Sequence, residues 1–321
     1  MPSKIKNRKI AKLGFLNYIA KKPLCVSFEV SYQCNARCKH CHLGGPIQEN
    51  PAPPGKFGEL CKELNPVVAQ ISGGEPLLRK DIFEIVKALA NPVGTPMVVL
   101  TTNGKLLTKE KYYALKEAGV DEFSLSLDYP DERHDEFRNI PGLFRHVQNL
   151  LHEIKDEENK GITLACVVQS KNFRDLIRMA EFALENGVKI SFSTYTWLRT
   201  NDKSWMIPRE ELPEFREIVD QLLVFKKKHR TVFTSKYVFK RMIKFFENER
   251  MPNCRAGERF LVVNPEGTIS PCGLIIGNYK SQKDVVENFL KNNTCEACNT
   301  SIRANTEKPW NVLLMDAIRN R

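Results

Sequence analysis

Three cysteines in one short segment are the residues of this 321-residue chain best suited to chemistry. Cys34, Cys38 and Cys41 are separated by three and two residues, and they follow an apolar, β-rich stretch at residues 24–30. Thiolates are soft ligands that suit iron–sulfur clusters and zinc. Because three thiolates cannot bind all the irons of a 4Fe–4S cube, one iron would stay open to a small chelating ligand.

Four more cysteines lie near the C-terminus. Cys254 and Cys272 flank a stretch that predicts a β-hairpin with its turn at 264–267, and Cys295 and Cys298 form a C-x2-C pair after a helix-like segment at 281–291. Four thiolates can bind every iron of one 4Fe–4S cluster, but they suit the tetrahedral zinc of a ribbon as well. The spacing of this set leaves both interpretations open.

The elements that would position these cysteines alternate between β-like and helical patterns. Strands are predicted at 24–30, 67–72, 97–101, 123–127, 162–169 and 189–194, and helices between them at 80–89, 109–118, 143–153 and 172–186. Six β/α repeats predict an α/β fold with a parallel, partial (β/α)6 barrel of the TIM type. In such barrels the reacting groups gather at the C-terminal ends of the strands.

Polar and glycine-rich segments follow several of these strands. Gly73-Gly74-Glu75-Pro76 comes directly after the second strand, and glycine lets a backbone approach a ligand closely. Alternation along the fourth strand places Ser126 and Asp128 on one face. The other candidates near strand ends are Asn103, His134, Arg138 and Gln169.

The C-x3-C-x2-C segment and the later Gly-Gly-Glu-Pro together resemble the radical S-adenosylmethionine superfamily. The resemblance implies that the open iron binds the amino and carboxylate groups of S-adenosylmethionine. Reductive cleavage of that cofactor would then give a 5′-deoxyadenosyl radical, which abstracts a substrate hydrogen. The family usually has an aromatic residue where this chain has His40. The alternative is a zinc site completed by His40 or His42, although zinc prefers C-x2-C pairs and four protein ligands.

The resemblance also implies roles for single residues. Cys34, Cys38 and Cys41 would hold the active cluster, and Gly73, Gly74 and Glu75 would hold the amino group of S-adenosylmethionine. The remaining cofactor-side or substrate-side positions that it implies are Asn103, Ser126, Asp128, Arg138 and Gln169.

The C-terminal cysteines resemble the twitch module, which is a shortened form of the SPASM module. This implies a second, auxiliary 4Fe–4S cluster held by Cys254, Cys272, Cys295 and Cys298, acting as an electron conduit or as structural support. The predicted organisation is therefore a basic amphipathic helix at 1–22, the barrel at 23–200, a helical connector at 201–250 and a small α+β iron–sulfur domain at 251–321.

Charge and composition bear on where the protein acts. Seven of the eleven net positive charges lie within residues 1–22, so the predicted helix there either packs on the barrel with a solvated basic face or binds anionic lipid. The sequence contains no apolar run long enough to span a bilayer and no signal-peptide pattern. Ten cysteines in such a chain favour metal over disulfides, so we expect a cytoplasmic, oxygen-sensitive protein.

The substrate is expected to be a peptide or a small molecule, with a lipid at the membrane surface as an alternative and RNA the least favoured. Reductive cleavage also requires an electron donor such as flavodoxin or ferredoxin. An alternative of another class is a non-catalytic, RNA-associated zinc module. That alternative leaves the Gly-Gly-Glu-Pro segment and the barrel pattern unexplained.

The two cysteine sets make a prediction about metal content. Anaerobically purified protein should contain about eight irons per chain, falling to about four when Cys34, Cys38 and Cys41 are all changed to alanine. Iron, sulfide and zinc analysis of both proteins checks this. About four irons with one zinc would assign the C-terminal cysteines to a ribbon, and protein without iron would contradict both cluster assignments.

Overall fold

The computed structural model describes residues 4–45, 47–91 and 95–319, of which residues 4–7 and 317–319 are described by their backbone alone. The six predicted strands are present, each to within one residue at either end, and two more follow near the C-terminus. The strands are β1 (Cys25–Ser31), β2 (Val68–Gly73), β3 (Met97–Thr102), β4 (Glu122–Ser126), β5 (Ile162–Val168), β6 (Lys189–Thr194), β7 (Phe260–Val263) and β8 (Ile269–Ser270).

Helices follow most of the strands, as the β/α pattern predicts. The α-helices are α1 (Lys4–Ile19), α2 (Pro54–Leu64), α3 (Ile82–Leu89), α4 (Lys109–Ala118), α5 (Arg133–Arg138), α6 (Leu143–Glu153), α7 (Leu176–Glu185), α8 (Leu212–His229), α9 (Lys236–Asn248), α10 (Gln282–Asn288), α11 (Ser301–Thr306) and α12 (Trp310–Arg319). The sequence patterns predicted neither α2 nor the short α5, because each lies in a stretch rich in turn-forming or charged residues.

The chain forms two compact units. The first comprises the residues up to Arg37, Leu43–Ser124 and Arg255–Asn293. Within it the strand order is β4-β3-β2-β1-β7-β8, with β1 parallel to both β2 and β7 and with β2 parallel to β3. All seven residues of β1 are buried, as is usual for the inner strand of a parallel sheet, although Ser27, Glu29 and Ser31 are polar.

The predicted hairpin near the C-terminus is confirmed. β7 and β8 are antiparallel, and at the turn between them the Asn264 amide donates to the Thr268 carbonyl at 2.8 Å. Its place in the sheet was not predicted, since Phe260 of β7 lies opposite Cys25 of β1 in parallel register. The hairpin is thus part of the main sheet of the first unit, where the sequence had suggested a separate small domain.

The second unit comprises Cys38–His42, Leu125–Cys254 and the residues from Thr294 onward. The strand order within it is β4-β5-β6; the Leu127 amide donates to the Ala165 carbonyl at 2.9 Å, and β5 is parallel to β6. Edge-to-face rings of Phe173, Phe215 and Phe246 join the start of α7 to α8 and α9, and all three side chains are buried. Each such ring contributes about 2 to 3 kcal/mol by leaving water.

The predicted α/β class with a parallel sheet is confirmed, and the open strand order fits a partial barrel. Each of the two compact units is formed by segments that are distant in the sequence. The predicted organisation was a succession of four segments along the chain, and it stays a prediction.

The predicted N-terminal helix is present, and its amphipathic character stays a prediction. Leu16 is 50% exposed, whereas Asn17 is buried and its side-chain amide donates to the Pro23 and Asn65 carbonyls at 2.9 Å each. The Arg259 guanidinium lies 3.7 Å from the centre of the Tyr18 ring. Polar and cation–π contacts therefore attach α1 to the first unit. Among the described residues, no helix has the length and apolarity needed to cross a bilayer.

Candidate active site

The first cysteine follows β1 in a loop closed by short hydrogen bonds. The Gly45 amide donates to the Cys34 carbonyl at 3.0 Å, and the Ala36 amide lies 3.4 Å from the Cys34 sulfur. Glu49 holds the start of this loop, because its carboxylate accepts from the Ser31 hydroxyl and from the Tyr32 amide. Sequence reasoning missed Glu49, since a single acidic residue in a loop carries no pattern.

Two glycines bring the loop after β2 against the residues that precede Cys34. The Gly74 amide donates to the Ser31 carbonyl at 2.7 Å, and the Glu75 amide donates to the Gln33 carbonyl at 2.8 Å. Gly73 has a φ of +131°, and a Cβ there would lie 2.2 Å from the Ser31 oxygen. A Cβ on Gly74 would lie 2.1 Å from the Gln33 oxygen. Only glycine permits this approach at either position.

Glu75 links three segments of the first unit from a fully buried position. Its carboxylate accepts from the Leu77 amide at 3.0 Å, from the Thr102 hydroxyl at 2.7 Å and from the Asn103 amide at 2.8 Å. The Asn103 side chain then donates to the Asn35 side chain at 2.7 Å. The structure thus gives Glu75 and Asn103 a part in holding the loop next to Cys34, while direct contact with S-adenosylmethionine stays a prediction for both.

The second and third cysteines belong to the second unit, where α5 holds their loop. The Cys41 amide donates to the Cys38 carbonyl, and the Lys39 amide donates to the Phe137 carbonyl, both at 3.1 Å. The Arg138 guanidinium lies 3.8 Å from the Cys38 sulfur. These contacts give Cys38 a charged hydrogen-bond donor.

Asp128 fixes the position of that guanidinium. The Asp128 carboxylate accepts from Arg138 Nε at 2.7 Å and lies 2.6 Å from Arg138 Nη2, while its other oxygen accepts from the Val167 amide at 3.0 Å. Burial acts to raise the pKa of Asp128, but the charge of Arg138, together with smaller contributions that include the hydrogen bond from the Val167 amide, holds that pKa below its ordinary value. Both residues are buried, so the ion pair is an integral part of the second unit.

Burial raises the pKa of the Cys38 thiol, while the nearby Arg138 charge acts to lower it. A thiol that burial keeps protonated must lose its proton to bind iron, and a guanidinium beside the sulfur favours the thiolate. Arg138 therefore contacts Cys38, and Asp128 contacts Arg138. The predicted cofactor-side or substrate-side roles of the two residues stay predictions.

His40 stands where the resembled family has an aromatic residue. Its ring stacks on Phe137 with centroids 4.9 Å apart and planes 7° from parallel. Burial lowers the pKa of His40 to about 3, so the ring is uncharged at neutral pH. A neutral imidazole stacked on Phe137 performs the packing that an aromatic side chain would provide.

His134 supports the ion pair from α5. Its Nδ1 accepts from the Asp128 amide at 3.2 Å, and burial lowers its pKa to about 4. The proton of the neutral ring therefore lies on Nε2, which has no hydrogen-bond partner among the described residues. The structure places His134 behind Asp128 as a support.

The remaining two candidates lie in the second unit. The buried Gln169 side chain donates to the Tyr129 hydroxyl at 2.9 Å and accepts from the Lys171 amide. Ser126 is also buried. The contacts of Gln169 join segments of its own unit, and its predicted cofactor-side or substrate-side role stays a prediction.

The C-terminal cysteines are divided between the units. Cys254, Cys295 and Cys298 belong to the second unit, while Cys272 belongs to the first. Cys254 and Cys298 are buried, and the Met251 amide donates to the Glu296 carbonyl at 2.6 Å, joining the segments that carry them. Arg303, fully buried on α11, lies 3.9 Å from the Cys298 sulfur. Sequence reasoning missed Arg303, because its burial depends on packing.

Both cysteine sets fit an iron–sulfur cluster by their donor chemistry. Each set consists of thiols, all ten cysteines are free of disulfides, and each set has a buried guanidinium within 4 Å of one sulfur. Hydrogen bonds to cysteine sulfur are a usual feature of such sites. No three side chains of Cys, His, Asp or Glu in the described ranges lie close enough together to hold a single metal ion. The cysteines of a four-iron cluster each bind a different iron, so that finding concerns single-ion sites.

Comparison with known proteins identifies the family. Residues 28–183, which contain the three-cysteine loop and the Gly-Gly-Glu-Pro segment, match the model of the radical SAM superfamily. The chain belongs to the radical SAM superfamily. Radical SAM proteins use a 4Fe–4S cluster and S-adenosylmethionine, and the relatives of this chain are enzymes. Membership excludes the alternative of a non-catalytic zinc module.

Relatives with different named activities match this radical SAM chain. An AdoMet-dependent heme synthase from Methanosarcina barkeri is 28% identical over 83% of this chain and 82% of its own length. The antilisterial bacteriocin subtilosin biosynthesis protein AlbA from Bacillus subtilis is 26% identical over 78% of this chain and 55% of its own length. Neither relative supports the lipid-facing alternative for the N-terminal helix.

The fold is similar to that of SuiB from Streptococcus suis, whose structure was solved with bound S-adenosylmethionine. The TM-score is 0.65 at 19% identity, covering 88% of this chain and 68% of SuiB. At that identity the likeness concerns the fold, and it agrees with the parallel α/β architecture of the radical SAM chain.

The contacts of Gly74 lead to a prediction about loop packing. Gly74→Ala should lower the free energy of unfolding by about 1 to 3 kcal/mol, because the added Cβ must displace the Gln33 backbone. Urea denaturation of the purified chain measures the change. Gly55→Ala is the matched control, since its Cβ would meet nothing within 4 Å, and it should stay within about 0.5 kcal/mol of wild type. Equal effects of the two substitutions would refute the packing argument.

The buried His134 makes stability depend on pH. Its pKa is about 4 in the folded chain and about 6.5 when unfolded, so acidification below 6.5 protonates the unfolded state first and stability falls towards pH 4. Between pH 7.5 and 5, wild type should lose about 2 kcal/mol more than His134→Gln. Urea denaturation at both pH values measures this, with the exposed His152→Gln as control. Parallel pH profiles for wild type and His134→Gln would exclude a buried neutral His134.

Proposed function

We propose that this chain cleaves S-adenosylmethionine reductively at a 4Fe–4S cluster held by Cys34, Cys38 and Cys41. When bound, the cluster and the cofactor supply a 5′-deoxyadenosyl radical that takes a hydrogen atom from a C–H bond. The observation that carries the proposal is the Arg138 guanidinium placed 3.8 Å from the Cys38 sulfur by a buried Asp128. An ion pair of this kind is expensive to bury, and a thiolate beside it gives that burial a function.

The chain's own residues have distinct tasks in this proposal. Gly73 and Gly74 hold the loop after β2 against the segment before Cys34, which keeps that cysteine at the end of β1. The buried carboxylate of Glu75 ties this loop to the end of β3 through Thr102 and Asn103. Rigid placement of this kind is what a cofactor site needs, because a small displacement of the reacting groups costs rate.

Arg138 would also favour the cluster electrostatically. Its positive charge offsets part of the negative charge that three thiolates bring, and its N–H group can donate to sulfur. His40 remains neutral within the same loop and adds no competing charge. The stacking of His40 on Phe137 fixes the loop between Cys38 and Cys41.

A second, auxiliary 4Fe–4S cluster at Cys254, Cys272, Cys295 and Cys298 completes the proposal. The support for it is the pair of buried thiols in the second unit and the Arg303 guanidinium beside Cys298. Four thiolates leave no open iron, so this group would carry electrons or hold the chain segments together. The electrons would come from a low-potential donor such as flavodoxin or ferredoxin.

The proposed substrate class is a peptide or a small molecule. Relatives support both, since one is named for heme synthesis and another for the biosynthesis of the bacteriocin subtilosin. The chain spans about half of the second relative's length. Oxidation and the formation of a new bond at the carbon that loses its hydrogen are both open to a substrate radical.

The direct test is the reductive cleavage of S-adenosylmethionine. Wild type under anaerobic conditions with dithionite should release 5′-deoxyadenosine and methionine, and Cys38→Ala should reduce both to background because one iron loses its ligand. Liquid chromatography with mass spectrometry measures the products. Cys61→Ala is the control, since Cys61 is a buried thiol of α2 outside both sets. Release by Cys38→Ala at the wild-type rate would overturn the proposal.

A further inference from the structure

A hydrogen-bonded group of buried polar side chains lies next to the C-terminal cysteines of the second unit. Arg303 and Asn299 are fully buried, the side chain of Glu307 is 4% exposed and that of Arg241 is 13% exposed. Burying two guanidinium groups and a carboxylate carries a desolvation cost that ordinary packing does not require. Their hydrogen bonds lead to the chain segments that carry Cys254 and Cys298.

Arg303 joins the two segments that carry Cys254 and Cys298. One terminal nitrogen donates to the Cys298 carbonyl at 2.8 Å and lies 3.9 Å from the Cys298 sulfur. The other donates to the carbonyls of Met251 and Pro252, at 2.6 Å and 3.0 Å, just before Cys254. A planar guanidinium is suited to such a fork, and a lysine ammonium is not.

Glu307 and Arg241 hold Arg303 from behind. The Glu307 carboxylate accepts from Arg303 Nε at 3.1 Å and from Arg241 Nη2 at 2.8 Å. Arg241 Nε donates to the Asn299 side chain at 3.1 Å, and Asn299 donates to the Thr194 hydroxyl at 3.0 Å. The group therefore extends from the end of β6 to the cysteines. Its two cations and one anion leave one net positive charge.

We propose that Arg303 is a positioning residue for the auxiliary cluster, fixing Cys254 and Cys298 and raising the reduction potential of the group they hold. The inference rests on the proposed function, because it takes the C-terminal cysteines to bind a 4Fe–4S cluster. Reduction adds one negative charge to the cluster, and a buried cation next to a ligand sulfur stabilises that charge. Glu307 acts in the opposite direction while it orients Arg303.

The sign of two substitutions tests the electrostatic part. In the full chain with Cys34, Cys38 and Cys41 changed to alanine, the remaining cluster can be titrated alone by electron paramagnetic resonance. Arg303→Gln should lower the reduced-to-oxidised ratio at a fixed potential by about tenfold, which is about 59 mV for one electron. Glu307→Gln should raise the potential, because it removes the opposing charge. A purely structural role would not give opposite signs.

Two further variants separate charge from position. Arg174→Gln is the matched control, since it removes the same charge from an exposed residue of the same unit and should leave the potential unchanged. Arg303→Lys keeps the charge but loses the fork, so it should keep the potential nearer to wild type than Arg303→Gln does and should lower the iron content per chain.

Each outcome supports or overturns the proposed role of Arg303. If Arg303→Gln and Glu307→Gln both retain iron and shift no more than Arg174→Gln, the inference is wrong while the auxiliary cluster stands. If Arg303→Gln loses its iron, the loss supports the positioning role, and Glu307→Gln decides the electrostatic one. A triple-alanine background without iron overturns the auxiliary cluster and this inference together. Release of 5′-deoxyadenosine by wild type still judges the radical SAM activity separately.

Discussion

The ion pair between Asp128 and Arg138 is the interaction on which the surroundings of Cys38 in the second unit depend. Asp128 comes from the end of β4 and Arg138 from the end of α5, so the pair fixes a helix to a strand. The Val167 amide donates to the other carboxylate oxygen of Asp128, and His134 accepts from the Asp128 backbone amide. Removing one partner from such a buried pair leaves an uncompensated charge, which costs far more than the pair itself contributes. The Arg138 guanidinium beside the Cys38 sulfur is therefore held by an ion pair that is costly to break.

In the first unit, the loop after β2 is held by close backbone packing of Gly73 and Gly74 against Ser31 and Gln33. A buried carboxylate, Glu75, then satisfies donors from two neighbouring segments. The first unit thus relies on steric exclusion around Gly73 and Gly74, and the second unit relies on charge compensation around Arg138. Neither arrangement tolerates much substitution, because an added Cβ would clash with backbone atoms and the loss of one charge would leave its partner uncompensated.

The sequence predicted the six strands well, because alternating apolar runs and helical periods are local signals. It also predicted the radical SAM superfamily, because the C-x3-C-x2-C spacing is specific to that superfamily. It could not predict that Arg138 pairs with Asp128 or that Arg303 is fully buried, as both depend on which elements meet in space. The contacts of α1 could not be predicted for a related reason, since Asn17 and Tyr18 meet Asn65 and Arg259, which are distant in the sequence.

The place of β7 has a consequence for truncation of the chain. β7 pairs with β1, the strand that leads into Cys34, and so completes the hydrogen bonding of a strand that would otherwise form an open sheet edge. Removing the hairpin between Cys254 and Cys272 would therefore expose the backbone donors and acceptors of β1 just before the three-cysteine segment. The hairpin is thus a structural requirement of the sheet as well as a connection between two cysteines.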